Sequence, residues 1–253
     1  MNNILDELKW CIDYLSNYNH LNKFLNTYDF NTFRGLMNIT MPYDLSLKYY
    51  NYQDDILKNE INKHKIIDVN DFKDDISIYK GDITLLKADC IVNACNELLL
   101  GCFSPLHTCI DNAIHSFAGL QMRRDLMKIM DLQAHDEENG KCKYTFGYNL
   151  PSKYVFHTVG PKVFGNVSKD NERDLKNCYI SCLDMAKKLN LKSIVFPCIS
   201  TGIYGYPKES ASKLAISEVK KYLKNSDYKI KVIFNVFTDL DYSLYKKGLE
   251  NDN

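Results

Sequence analysis

Four short apolar runs constrain this chain more than anything else in it. They are DCIVNA (89–94), YVFHTV (154–159), SIVFP (193–197) and VIFNVF (232–237). A run that is apolar along its whole length, rather than alternating, needs cover on both faces. The cover is written between the runs. Ile110, Ala113, Ile114 and Phe117 open a long helix expected to reach about Met130. Leu175, Cys178, Tyr179, Cys182, Ala186 and Leu189 form a second helical face, and Ala211, Leu214, Ala215, Val219 and Tyr222 a third. ISIY (76–79) and KYTFGY (143–148) add strand-like segments, with Pro151 after the second, and a short helix is expected after Asp239. Strands alternating with helices predict a three-layer α/β/α domain with a mixed, mostly parallel sheet. Ligands in such sheets sit at the carboxyl ends of strands, which directs attention to the loops after Ala94 and Pro197.

Residues 1–70 read differently. Ile4, Leu5, Leu8, Ile12 and Leu15 have helical spacing, Met41 and Pro42 mark a turn, and a second helix is expected around 44–65. A helical N-terminal extension (1–70) is therefore expected to precede the α/β domain (71–253). Lys plus Arg and Asp plus Glu both number 32. That balance gives no reason to expect nucleic acid or an anionic membrane as partner. MNNILDELKW lacks the cationic and apolar stretches of a secretory signal, and no apolar run approaches the ~18 residues of a membrane span. A cytoplasmic protein is expected, and a monomer. Nine cysteines in a chain of 253 residues then predict buried thiols rather than a disulfide framework.

Two loops carry candidate chemistry. The stretch Pro197 to Pro207 holds Ser200, Thr201, Gly202, Ile203, Tyr204 and Gly205, with Pro207 placed to begin a helix. Glycines let such a loop approach a ligand, and N–H groups at a helix start can cradle a phosphate. An ordinary strand-to-helix turn has the same spacing. In the other loop, Cys102, His107 and Cys109 form C-x4-H-x-C. Two thiolates and an imidazole suit zinc, and three ligands leave a position for water or substrate. A closed site would recruit Cys95 or His135, and three unrelated core residues would read alike. Asp111 can cap its helix or place a reacting oxygen. Asn93 and Asn96 can close the turn or hold ribose hydroxyls, and Asp82 can serve its turn or accept from an amino group. His115 and His157 read as core or surface histidines. A Cys95–His157 nucleophile pair has no local signature behind it.

These motifs also fall together in order. KGDITLLKADCIVNACN (80–96) resembles the opening of macrodomains, IDNAIHSFAG (110–119) the helix after their first ligand loop, and CISTGIYGYP (198–207) their phosphate loop. The resemblance covers about residues 75–237. Where many macrodomains carry a glycine run, this chain has GCFSPLHTC (101–109), which resembles the zinc-containing subclass of bacterial macrodomains. QAHDEENGKCKYTFGYNLPSKYVFHTVGP (133–161) and the helical extension resemble that subclass as well. The resemblance implies a macrodomain that hydrolyses mono-ADP-ribose from protein side chains with one zinc ion at Cys102, His107 and Cys109. It further implies that Asp82 and Ile83 meet the adenine, Asn96 the distal ribose, and Asn93 braces the strand. Residues Ser200 to Tyr204 would wrap the diphosphate, and Ile110 and Asp111 would lie near the distal ribose. Asn96 and Asp111 are the expected catalytic residues, with zinc either activating a water or polarising the linked oxygen. A non-catalytic ADP-ribose reader and an O-acetyl-ADP-ribose deacetylase are the alternatives.

Overall fold

Strands form where the β-branched and aromatic runs lie. The computed structural model describes residues 3–21 and 27–250; residues 1–2, 22–26 and 251–253, which belong to both expected segments, lie outside the described residues. The strands are β1 (Ile67–Asp68), β2 (Ile76–Lys80), β3 (Leu86–Lys87), β4 (Cys90–Cys95), β5 (Cys142–Phe146), β6 (Tyr154–Val159), β7 (Ser193–Phe196) and β8 (Lys231–Val236). The main sheet has the order β2-β8-β7-β4-β6-β5, parallel except for β5 at one edge. β1 and β3 pair separately, so residues just before position 70 are already tied to the α/β domain.

The period-two geometry of the strands divides the core. Val92, Phe156, Ile194, Phe196, Val232 and Phe234 point to one face, covered by α6 (Lys169–Lys188), α7 (Lys208–Lys224) and α8 (Asp239–Glu250). Ile91, Val155, Val195 and Ile233 point to the other, covered by α4 (Ile110–Ala118) and α5 (Leu120–Gln133). Each fully buried phenylalanine contributes about 1.5–3 kcal/mol by leaving water. This is the three-layer α/β/α fold that the alternation predicts.

The extension has its own core. α1 (Ile4–Tyr18), α2 (Phe30–Ile39) and α3 (Leu47–Ile61) bury Leu8, Ile12, Leu15, Phe33, Met37, Tyr49 and Leu57, and Leu120 of α5 joins them. Asn3, Asp29 and Ser46 cap these helices with their side chains. Among the described residues the expected pair of helices is corrected to three, α2 lying before the Met41–Pro42 turn. Leu5 departs from the expected apolar face and is exposed.

Two further expectations are corrected. The helix expected from Ile110 to about Met130 is broken at Gly119, whose φ is +97°. A Cβ there would lie 2.5 Å from Gln53 Nε2 of α3, so the break occurs where the extension docks. Gln53 also accepts from the Leu120 N–H at 2.9 Å and donates to Gln121 at 2.6 Å. Pro207 is the N-cap of α7 rather than its first residue. Among the described residues, no helix is long and apolar enough to cross a membrane.

Candidate functional site

The five parallel strands deliver their carboxyl ends to one edge of the sheet, and the candidate residues follow them. β4 ends at Cys95. Asn96 then turns the chain: its Oδ1 accepts from the Leu98 N–H at 3.0 Å and its Nδ2 donates to the Gly101 carbonyl at 3.2 Å. Gly101 has φ +86°, and a Cβ there would meet the His115 ring at 2.9 Å. The loop runs over half-buried Cys102 and His107 to Cys109, whose Sγ accepts from the Asn112 N–H at 3.4 Å as the N-cap of α4.

The donor atoms of Cys102, His107 and Cys109 all lie within 4.8 Å of one another. Ligand atoms around a tetrahedral zinc with these donors stand roughly 3.5–3.8 Å apart, as follows from the usual Zn–S and Zn–N lengths. The donors therefore fit the ion with a small closing movement. Burial, with Cys102 alongside, pushes the Cys109 thiol up to about 11. Cys95 is outside this group: it is buried in the strand, and its thiol faces the Thr158 carbonyl at 3.3 Å. His135 is exposed and directs its ring to the Asp136 carbonyl. Among the described residues neither completes a closed four-ligand site.

Behind the metal loop lies a buried polar chain. Asp111 in the first turn of α4 is 5% exposed, and its Oδ1 accepts from Asn93 Nδ2 at 2.7 Å. Burial pushes its carboxyl up to about 6, against the opposing hydrogen bond from Asn93. Asn93 Nδ2 is 3.4 Å from His157 Nδ1, and His157 Nε2 is 3.0 Å from the Thr145 hydroxyl. Burial holds His157 down to about 3 and His115 well below its usual range, so both imidazoles are neutral. His115 Nε2 stands 3.5 Å from Asp111 as a contact rather than an ion pair. Of the core and surface placements left open for the two histidines, the fold takes the core for both, and His157 is partnered by Asn93 and Thr145 rather than Cys95.

The second loop is held open by its own geometry. Ser200 adopts φ +64°, and Gly205 φ +70°. Gly160, at the end of β6, leaves room for the Ser200 hydroxyl, which a Cβ would meet at 2.1 Å. Gly205 N–H donates to Gly202 O and Tyr206 N–H to Ser200 O, both at 3.0 Å. Among the described residues, the amides of Ser200, Gly202, Ile203 and Tyr204 have no protein acceptor, and the buried hydroxyl of Ser200 has no partner. A row of free N–H groups before a helix suits an anion. Thr201 turns its hydroxyl back to the Cys198 carbonyl at 2.9 Å. Asp82, at the end of β2, spends Oδ1 on the Thr84 N–H and hydroxyl, which caps the turn at Ile83 and leaves Oδ2 uncommitted.

The extension also reaches this edge: three polar residues outside the motifs, Arg34, Asn38 and Arg123, build the wall of the metal loop together with Asn112 of α4. Arg34 of α2 donates to Asn112 Oδ1 at 2.9 Å and Ser116 Oγ at 3.1 Å. Burial lowers its pKa, and the Asp82 carboxylate opposes that shift. Arg123 of α5, 1% exposed, donates to the carbonyls of Leu100 (2.7 Å), Met37 (2.8 Å) and Thr40 (2.6 Å). Asn38 and Asn112 complete the wall. No local pattern marks Arg34, Asn38 and Arg123, because their hydrogen-bond partners lie 68 to 86 positions away except for Leu100.

Known proteins are similar to this chain in sequence and fold. A family model described as Macro domain matches residues 92–215. A protein-ADP-ribose hydrolase of Staphylococcus aureus is 44% identical over 225 residues, covering 87% of this chain and 84% of that one. A protein of the same name from Treponema medium is 41% identical over 221 residues, covering 85% of each. A macrodomain of Oceanobacillus iheyensis solved with ADP aligns with a TM-score of 0.63 at 36% identity, covering 69% of this chain and 89% of that one. By sequence and by fold, the chain belongs to the macrodomain family.

Proposed function

We propose that this protein removes mono-ADP-ribose from modified protein side chains, with a zinc ion at Cys102, His107 and Cys109 taking part. Its place among hydrolases rests on the relatives so named, which it matches over most of their length. Zinc participation rests on one observation: three soft and borderline donors converge within 4.8 Å at the mouth of the β4 loop, beside the buried Asn93–Asp111 pair. A reader that only holds ADP-ribose needs neither.

Each residue has a task in this reading. The free amides of Ser200, Gly202, Ile203 and Tyr204 take the diphosphate, where aligned N–H groups offset its charge. Asp82 offers Oδ2 to the adenine amino group, with the Ile83 backbone beside it. Asn96, Ile110 and Tyr204 border the distal ribose. Asn93 holds Asp111 so that its carboxyl places the reacting oxygen. Binding at adenine and diphosphate, remote from the cut, supplies positioning energy to the scissile end. A zinc ion held by the three donors supplies Lewis-acid chemistry there. The partner is an ADP-ribosylated protein, and the product is free ADP-ribose.

The test is release of ADP-ribose from a mono-ADP-ribosylated protein, with and without a zinc chelator. Release that the chelator abolishes and zinc restores is expected. Release untouched by chelation would leave the hydrolase and remove zinc from the reaction. Binding of ADP-ribose without release would favour the reader, and release only from O-acetyl-ADP-ribose the deacetylase.

A further inference from the structure

The metal loop is fastened by residues of α4 and α5 and, at one point, by a residue of the N-terminal extension. Asn38, near the end of α2, is 1% exposed. Its Oδ1 accepts from the Leu106 N–H at 3.0 Å and its Nδ2 donates to Ser116 Oγ on α4 at 2.9 Å. Leu106 immediately precedes His107, and its φ is +57°. A leucine adopts that left-handed conformation only where its surroundings impose it. On the same wall, Asn112 takes the Ser104 carbonyl at 3.0 Å and is itself held by Arg34 of α2. Arg123 joins the Leu100 carbonyl to the last turn of α2. The loop is thus tied at positions 100, 104 and 106 by groups that reach back to α2.

We propose that Asn38 is a positioning residue for the metal site: by holding Leu106 against α4 it sets His107 at the point where the three donors converge. The inference rests on the reading of Cys102, His107 and Cys109 as zinc ligands. It also gives the N-terminal extension a role, because α2 becomes part of the site's wall and not a separate cap. Partners that orient ligands without touching the metal are costly to lose, typically about 10- to 100-fold in metal affinity.

The experiment measures zinc affinity of the full chain by competition with a chromophoric chelator, alongside the unfolding temperature. Asn38→Ala is expected to weaken zinc by about tenfold or more. Leu106→Gly restores much of that loss in the Asn38→Ala background, because glycine adopts the left-handed conformation without constraint. Asn38→Asp, which keeps the acceptor facing Leu106, stays nearer the original affinity. A general loosening of the fold would not be repaired by a glycine at 106, so the double variant separates positioning from stability. If Asn38→Ala binds zinc as tightly as the original chain, or if Leu106→Gly repairs nothing, the inference is overturned. An original chain that takes up no zinc would overturn the metal reading and this inference with it.

Discussion

Replacing Arg123 with methionine is expected to destabilise the protein by about 4 kcal/mol. The guanidinium is 1% exposed and donates to three carbonyls, those of Leu100, Met37 and Thr40. It also lies 4.6 Å from the centre of the Phe103 ring. Methionine fills much of the same space but offers no donor. The Met37 carbonyl keeps the Thr40 N–H at 3.3 Å, so two buried carbonyls are left without a partner at about 1–3 kcal/mol each, and the cation–π contact is worth about 1–2 kcal/mol when desolvated. Against this stands the cost of keeping a cation out of water, visible in a guanidinium pulled down to about 10 by burial. Methionine removes that cost of several kcal/mol, which brings the net into the lower part of the range. In a chain this long, each kcal/mol moves the melting temperature by about 2–4 °C, so the shift is about 8–16 °C. Urea unfolding followed by circular dichroism, with thermal melts in parallel, measures it. A loss below about 1 kcal/mol would refute the reasoning, because the carbonyls of Leu100 and Thr40 would then have found other partners at no cost.

Three more outcomes are expected. Gly202→Val places a side chain where a Cβ meets no atom within 4 Å, so the melting temperature holds while ADP-ribose affinity, read by calorimetry, falls roughly tenfold or more as the amides are screened. Unchanged affinity would remove the diphosphate from this loop. Asp111→Asn should cut turnover by about 100-fold or more and leave ADP-ribose binding nearly intact; equal losses in both would make Asp111 a binding residue only. Acid should destabilise the fold through His157, whose folded pKa of about 3 lies below the usual 6.5. Such a depressed base contributes its stability above pH 6.5 and loses it as pH falls towards 3, because the unfolded chain then binds the extra proton. His115 acts in the same sense and the raised carboxyl of Asp111 in the opposite one, so the clean readout is a difference. From pH 7 to 5 the original chain should lose about 2 kcal/mol more than His157→Gln, at about 1.4 kcal/mol per pH unit. Equal losses would show that His157 is not held neutral.

The sequence determined the layered domain, because apolar runs without alternation demand cover on both faces, and helical faces of matching length stand between them. It also determined which loops matter, since parallel strands can end only at one edge and both glycine-bearing and cysteine-bearing loops follow such strands. The C-x4-H-x-C spacing is local, so the convergence of Cys102, His107 and Cys109 was legible before any coordinates. Tertiary structure alone decided the rest. Gly119 looked like one more residue in a helix until α3 docked against it. Nothing in the chain marks Leu106 as a left-handed residue; its N–H is held by Asn38 across the packed interface. Asn38, Arg34 and Arg123 carry no motif, because a hydrogen bond between residues dozens of positions apart leaves no periodic trace in the chain. Their role comes from two separately written cores meeting, and only the packed molecule shows where they meet.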